Sequence, residues 1–390
     1  MSDSLHILEI RNVRVSCANA MNGQIASGFP AVSAFLGFTE ALERKMTQRA
    51  IREYQEEGAE FKKQVFFEGV AIICSDNTPQ VYGSGVLNLA QRGRSEHAFG
   101  EQQKAKGMPA IVRESYTNMV VTLLIGVRGL SQDEGDVRFI RDEPATEGFI
   151  QAVRDAVPYM RMAGGTIETL GDVRLHNEAD PIIPPWGYAL VSAHNTLQER
   201  VKAIQADNAE RAEDDQRDIM DALYSVCLHP VSPRDSEIRQ KQEKLFGKPN
   251  KRDSETAARL SQEVKANEPL RKEFEASLQA NKKVSGLGVI DPKQNLVVMQ
   301  TGYAVLQSCP AGSVLNSRDK TTPFLFVEPL HGLNRWVPIS VLKNGKSASS
   351  LFWTYAYPHA RLSETTASDM PRAGDVILFK NSYEEAQNNG

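Results

Sequence analysis

The feature that most limits how this chain can fold is the segment NAMNGQIASGFPAVSAFLGFTEAL, Asn19 to Leu42, which follows directly on an apolar strand-like run. Gly28-Phe29-Pro30 interrupts extended chain, and Pro30 suits the first position of a helix, where its missing N–H costs nothing. Val32, Phe35, Leu36, Leu42 and Met46 then recur at helical spacing and make one apolar face. Ala34, Gly37 and Ala41 make a second, narrow face of small side chains, against which another backbone can come close. The preceding run, LHILEIRNVRV from Leu5 to Val15, mixes apolar and polar positions with one slip of phase near Arg11 and Asn12, as a strand carrying a bulge does. The segment is thus a strand-to-helix turn of a small α/β platform.

Further elements extend that platform. Val65 to Cys74 (VFFEGVAIIC) and Met119 to Val127 (MVVTLLIGV) are β-branched apolar runs of strand length, and Phe149 to Met162 has helical spacing. Tyr188 to Ser192 (YALVS) reads as a further short strand. Strand, helix, strand, strand, helix, strand is the ferredoxin-like or RRM order, so the expected class is α+β, with an RRM-like domain over 1–195. A polar excursion rich in Gly, Gln, Arg and Lys separates the second and third strands and predicts a protruding thumb at about 83–116. Residues 196–285 form a charged helical insertion, with 34 charged side chains, 17 of each sign, and helix breaks at Pro230, Pro233 and Gly247-Lys248-Pro249. Residues 286–390 return to short strands, at Leu296 to Met299, Phe324 to Val327, Ser350 to Tyr355 and Asp375 to Phe379. They form a C-terminal β-rich part expected to pack on the RRM-like core.

At 390 residues the chain buries a substantial core, and 41% hydrophobic with 24% charged residues is the composition of a soluble globular protein. Its apolar runs are too short to span a membrane, and MSDSLHILEI has no signal-peptide layout, so a cytoplasmic protein with no membrane partner is expected. Cys17, Cys74, Cys227 and Cys309 are widely separated, with no C-x-x-C pair and no histidine at zinc-ligand spacing. They read as free thiols in a reducing compartment, and neither metal nor cofactor is expected. No Walker loop, G-x-S-x-G or H-E-x-x-H occurs, and Gly83-Ser84-Gly85 lacks the third glycine of a dinucleotide loop.

A net charge of -4 argues against a surface coated with cations, but the charge is unevenly placed. Asn88 to Arg113 carries Arg92, Arg94, Lys104, Lys106 and Arg113 against two acidic residues, with Gly93, Gly100 and Gly107 between them. Such glycines let a backbone follow a sugar-phosphate strand closely. A solvated basic loop is the plainer reading. His97, Lys104 and Tyr116 also offer a general acid/base set for RNA cleavage, a combination that composition supplies often by chance. MRMAGGT, from Met160, sets Arg161 before Gly164 and Gly165; this reads as a glycine helix stop, or as exposed N–H groups for a phosphate. Leu333 to Tyr357 interleaves Trp336, Phe352, Trp353, Tyr355 and Tyr357 with Arg335, Lys343 and Lys346 and contains no acid. Strand alternation there gives Trp353, Tyr355 and Tyr357 one face, available for base stacking, and Phe352 with Thr354 the other. Aromatic side chains of this kind are as often core.

Five stretches in order, NAMNGQIASGFPAVSAFLGFTEAL, VVTLLIGVRG, MRMAGGTI, PWGYALVS and TPFLFVEPLHGLNRWVP, resemble the Csy-two family. This is the Cas-five-type subunit, of the RAMP superfamily, in type I-F CRISPR surveillance complexes. The resemblance covers most of residues 5–230 and 295–357. It implies a non-catalytic, RNA-binding subunit that caps the five-prime handle of the CRISPR RNA in antiviral defence. Its partners would be the large subunit that reads the PAM and the first backbone subunit, with the thumb pressed over the guide. On matching positions the thumb is Asn88 to Val112, and the handle-facing residues include Asn19, Asn22, Arg161, Gly164, Gly165, Arg335 and Trp336. A CRISPR RNA-processing endoribonuclease of the same superfamily is the alternative. The stretch from Arg234 to Lys283 is longer and more charged than the family leads one to expect. Lys241, Lys244, Lys248, Lys251 and Arg252 there are candidate contacts to target DNA near the PAM, or the segment takes over part of a large subunit.

Overall fold

The computed structural model describes residues 5–23, 26–56, 65–80, 90–93, 111–129, 143–177, 186–208, 222–223, 295–315, 320–342, 348–356, 370–381 and 383. Two compact units emerge, one of Met1–His194 with Val298–Gly390 and one of Asn195–Val297. The first is α+β and is built on an eleven-stranded, largely antiparallel sheet.

The chain opens with β1 (Leu5–Asn19), α1 (Val32–Glu56) and β2 (Val65–Pro79). After β3 (Ala90–Gly93) and β4 (Ile111–Glu114) it returns as β5 (Tyr116–Gly129) and α2 (Glu143–Ala156). Strand β5 lies between β1 and β2, antiparallel to both. The bulge expected near Arg11 and Asn12 is present: the β1–β5 register slips between Ile10 and Val13, and Asn12 takes a φ of 49°. The Thr122 hydroxyl accepts the Asn12 N–H, so the extra residue keeps a partner. A second slip, between Val15 and Ala18, places Cys17 at φ 52° with its N–H on Asn118 Oδ1. Strands β3 and β4 pair with each other as a separate ladder at the root of the excursion expected to form a thumb.

Helix α1 begins at Val32, two residues beyond Pro30, and buries Val32, Phe35, Leu36, Leu42 and Met46 as its spacing predicts. Glu43 is buried too, and its Oε2 accepts the Phe67 N–H of β2 at 2.8 Å, which satisfies a carboxylate that water cannot reach. The helical spacing of Phe149 to Met162 overruns the helix, which stops at Ala156. Pro158 has no N–H and disfavours helical φ/ψ at Val157, so the chain passes through one 3₁₀ turn, Val157–Tyr159, and leaves. It then forms β6 (Arg161–Met162), β7 (Gly165–Thr169) and β8 (Val173–Asn177), and both β7 and β8 pair with β1. The neighbour of β1 is therefore this hairpin region. Tyr188–Ser192 is a strand, β9, but it pairs with β2 and with β11 (Phe324–Pro338).

Of the remaining strands, β10 (Leu296–Cys309), β11 and β13 (Val376–Asn381) are longer than the runs expected for them, whereas β12 (Trp353–Ala356) is shorter than Ser350 to Tyr355 because Ala348–Leu351 forms a 3₁₀ turn; short helix α4 (Ile339–Leu342) follows β11. From β2 the sheet runs β9, β11, β10, β13, β12, and Trp353 of β12 pairs back onto Val70 of β2, closing a ring of six strands. This closure explains the burial of β1. Ile7, Leu8, Glu9 and Ile10 are all buried, because Leu5 and Ile7 pack with Leu124, Ala71, Val337 and Phe352 of a second core. From Val13 onward β1 alternates buried and exposed positions. The second unit contains α3 (His194–Asn208, its first residue in the first unit), with Ile204 buried, and the helical residues Ala222 and Leu223, also buried.

Candidate nucleic-acid interface

The end of β1, the start of α1, the β6–β7 hairpin and β10 frame an open groove of about 480 Å³. The hairpin turn is Ala163-Gly164, both with positive φ (50° and 74°), as a two-residue turn matched to strand twist demands. MRMAGGT is thus a β-hairpin; neither a helix stop nor a helix precedes its glycines directly. Gly165 serves packing: a Cβ there would lie 2.6 Å from the Ser16 carbonyl oxygen and 2.8 Å from Ala18 Cα. Gly164 faces open space. Arg161 is exposed, and its Nη1 donates to the Gly164 carbonyl at 3.1 Å, which holds the guanidinium over the turn with donors to spare.

Asn19 closes the other side. Its backbone N–H donates to the Ala163 carbonyl at 2.8 Å, and its Oδ1 accepts the Met21 N–H at 2.9 Å. The floor is the narrow face of α1, where Ala34, Gly37 and Ala41 line the groove and a Cβ on Gly37 would meet nothing within 4 Å. From the distant strand β10 come Gln300 and Tyr303; Gln300 Oε1 accepts the Ser33 hydroxyl, and the Tyr303 ring meets Phe379 edge to face. Among the described residues lining the groove, Arg161 alone carries a charge, and it is positive.

Three sequence-predicted residues, Asn19, Arg161 and Gly164, therefore meet in one place. Others do not. Asn22 is buried, its Nδ2 donating to the Phe29 carbonyl at 3.0 Å, so it braces the turn before α1 and cannot reach a strand of RNA. Trp336 packs edge to face on Phe29 with ring centroids 4.9 Å apart, and Phe29 in turn stacks on Phe35, so this indole clamps the same turn. Beside it, His331 fills the space a Cβ at Gly23 would need, and burial pushes its imidazole below the ordinary 6.5. Arg335 sits opposite Val191 in the β11–β9 ladder and does not line the groove.

Trp353 corrects the expectation of a stacking face in the C-terminal aromatic segment. It is 0% exposed, and its Nε1 donates to the Leu190 carbonyl at 2.9 Å. Phe352 is buried as well, so both sides of the strand are core there. Tyr355 lies in an aromatic cluster with Phe379, and burial raises its phenol above the usual range. Tyr357 lies outside the described residues.

Arg92 occupies β3 opposite Val112, and Arg113 occupies β4 opposite Gln91. Arg94, His97, Lys104 and Lys106, and the insertion's Lys241, Lys244, Lys248, Lys251 and Arg252, lie outside the described residues. No cluster of metal-ligating side chains occurs among the described residues. No helix among them is long and apolar enough to cross a membrane. Sequence reading missed Gln300 and Tyr303; the small face of α1 announced a close approach, but nothing local showed which distant strand would wall it.

The family model described as CRISPR-associated protein (Cas_Csy2) matches residues 8–362. The chain is also similar to "CRISPR-associated protein Csy2" of Pseudomonas aeruginosa (strain UCBPP-PA14), at 25% identity over 388 residues, covering 92% of this chain and 93% of that protein. With a family match running from the first half of β1 to beyond β12, the chain belongs to the Csy2 family of CRISPR-associated proteins.

Proposed function

We propose that this protein is a non-catalytic, RNA-binding subunit of a type I-F CRISPR surveillance complex, and that it caps the five-prime handle of the CRISPR RNA. Membership of the Csy2 family makes it a CRISPR type I-F subunit. The observation that carries the RNA reading is the meeting of Asn19, Arg161 and Gly164 on one groove with a single cation and no acid. An anionic chain is the guest such a site favours. Small side chains along α1 let a sugar-phosphate backbone lie against the helix, and the exposed guanidinium supplies charge-assisted bonds to a phosphate. The order β1, α1, β2, β5, α2, then β7 and β8 beside β1, fits a ferredoxin-like platform of the RRM kind. On this reading the excursion carrying Arg92 and Arg94 closes over the guide, and the large and backbone subunits flank the platform. The basic part of the 196–285 insertion reaches target DNA near the PAM.

The test is binding of a CRISPR RNA bearing its five-prime handle across a salt series. Arg161→Ala should weaken binding and flatten the log-log salt slope by about 0.7, the share of one phosphate on a single strand. An unchanged affinity and slope would remove the groove from the RNA path. Deleting Arg234 to Lys283 should abolish PAM-dependent duplex binding by the assembled complex while leaving RNA binding intact; unchanged duplex binding would end the DNA assignment.

A further inference from the structure

Tyr159 stands 87% exposed at the end of the 3₁₀ turn Val157–Tyr159, and no described residue bonds its hydroxyl or meets its ring. The turn cannot fold it away. Val157 on one side and Met160 on the other are buried, the Met160 N–H donates to the Val157 carbonyl at 3.0 Å, and Pro158 fixes φ between them. A lone exposed tyrosine is ordinary on a protein surface, and this one takes its meaning from its neighbour. Met160 is extended (φ −99°, ψ 168°) and leads directly into β6, whose first residue is Arg161, the one charged residue lining the groove among the described residues. Tyr159 and Arg161 are both exposed on either side of buried Met160, and two residue steps set their Cα atoms at most about 7 Å apart.

Single-stranded nucleic acid is held by cations on its backbone and by flat rings on its bases, and this pair of side chains offers both. The Arg161 guanidinium is steadied by its bond to the Gly164 carbonyl at 3.1 Å and keeps further donors for a phosphate. About 7 Å spans roughly two nucleotides of a strand at about 3.4 Å each, so a strand with a phosphate on Arg161 brings a neighbouring base within reach of the tyrosine ring. The aromatic side chains inside the groove are engaged already: Phe38 is buried, and Tyr303 packs edge to face on Phe379. Resting on the reading of the groove as an RNA site, we propose that Tyr159 is a base-stacking residue, which takes one unpaired nucleobase of the RNA where the strand passes Arg161. Tyrosine loses little conformational freedom on such a contact, and any base offers it a π-face, so the ring adds affinity without reading sequence.

The test is a double-mutant cycle on the full chain with a CRISPR RNA bearing its five-prime handle, in which nucleobases are removed one at a time along the handle and adjoining guide while the sugar-phosphate strand is kept. Tyr159→Ala should bind the intact RNA at least about fivefold more weakly than the parent, Tyr159→Phe should bind as the parent does, and the melting temperature should be unchanged in both. At one position, base removal should weaken binding to the parent by a similar factor and have no further effect in Tyr159→Ala. The salt slope of Tyr159→Ala should equal the parent's, because no phosphate contact is lost. Unchanged affinity of Tyr159→Ala for the intact RNA, or a loss to which base removal adds in full at every position, overturns the proposal. So does loosened association with the other subunits without such coupling, which would make the ring a protein contact. Arg161→Ala in the same titrations keeps the two claims apart. A flattened slope there with no effect at Tyr159 removes the ring and leaves the groove on the RNA path, whereas base coupling at Tyr159 with an unchanged slope at Arg161 supports the ring and removes the groove.

Discussion

Replacing Trp353 with Phe distinguishes a core side chain from a base-stacking one. The indole is fully buried, stands opposite Val70 of β2 and Asn381 of β13, and donates Nε1–H to the Leu190 carbonyl of β9. Phe keeps most of the apolar contact and removes two things. The Leu190 oxygen loses a donor, at about 1–3 kcal/mol for a buried group left without its partner. The smaller ring leaves a void of roughly 40 Å³, which at about 24 cal/mol per Å³ adds about 1 kcal/mol. Together Trp353→Phe should cost about 2–4 kcal/mol, a large share of the roughly 5–15 kcal/mol that holds a typical fold. Urea unfolding followed by far-UV circular dichroism reads this as a lower midpoint, with RNA affinity measured on the folded variant expected to be unchanged. A midpoint equal to the parent's, together with weakened RNA binding, would refute both the burial argument and the placement of this residue at the ring closure.

Gly165→Ala should destabilise the first unit by at least about 2 kcal/mol in the same assay, because the new methyl meets β1 backbone that cannot retreat. Gly37→Ala should raise the midpoint slightly, by about 0.5–1 kcal/mol from helix propensity, whereas Gly37→Leu should fold normally and weaken RNA binding by filling the groove; normal RNA binding by Gly37→Leu would show the groove to be empty in the complex. Glu9 is buried, with Arg11 Nε at 2.6 Å and His176 Nε2 at 2.8 Å from its carboxylate, so Glu9→Ala should cost about 1–3 kcal/mol by removing the hydrogen-bond partner of these two half-buried side chains, measured against Arg14→Ala as an exposed control on the same strand. The depressed His331 imidazole must be charged in the unfolded chain before it is charged in the folded one. Its contribution is therefore complete above about pH 6.5 and is lost as the pH falls below that value; His331→Leu should flatten the fall in unfolding midpoint between about pH 7 and 5.

What sequence reading recovered follows from range of interaction. The β1 bulge was legible because a bulge shifts the phase of alternation within a few residues, at Arg11 and Asn12, and the structure has it there. The apolar and small faces of α1 were legible for the same reason, since helical spacing is local. The helix end was misplaced because spacing was followed through Pro158, whose missing donor decides the matter. Trp353 and Asn22 were misread because exposure depends on what arrives from far along the chain: β9 carries the acceptor of the indole, and the Phe29 carbonyl captures the Asn22 amide. Tyr303 and Gln300 carry no local mark at all. Only the path of β10 past the start of α1 makes them walls of the groove.

The ring through β2, β9, β11, β10, β13 and β12 joins residues from nearly both ends of the polypeptide. During synthesis β2 emerges early and β9 can pair with its Ile73 and Cys74, but its edge at Val70 has to wait for Trp353, which leaves the ribosome only after the whole 195–297 unit has been made. Until then the apolar edge around Val70 waits for its partner, an invitation to other nascent chains. Shortening the intervening unit would abbreviate that wait, so such variants should accumulate in larger soluble amounts when expressed, whatever they lose in recognition of their targets.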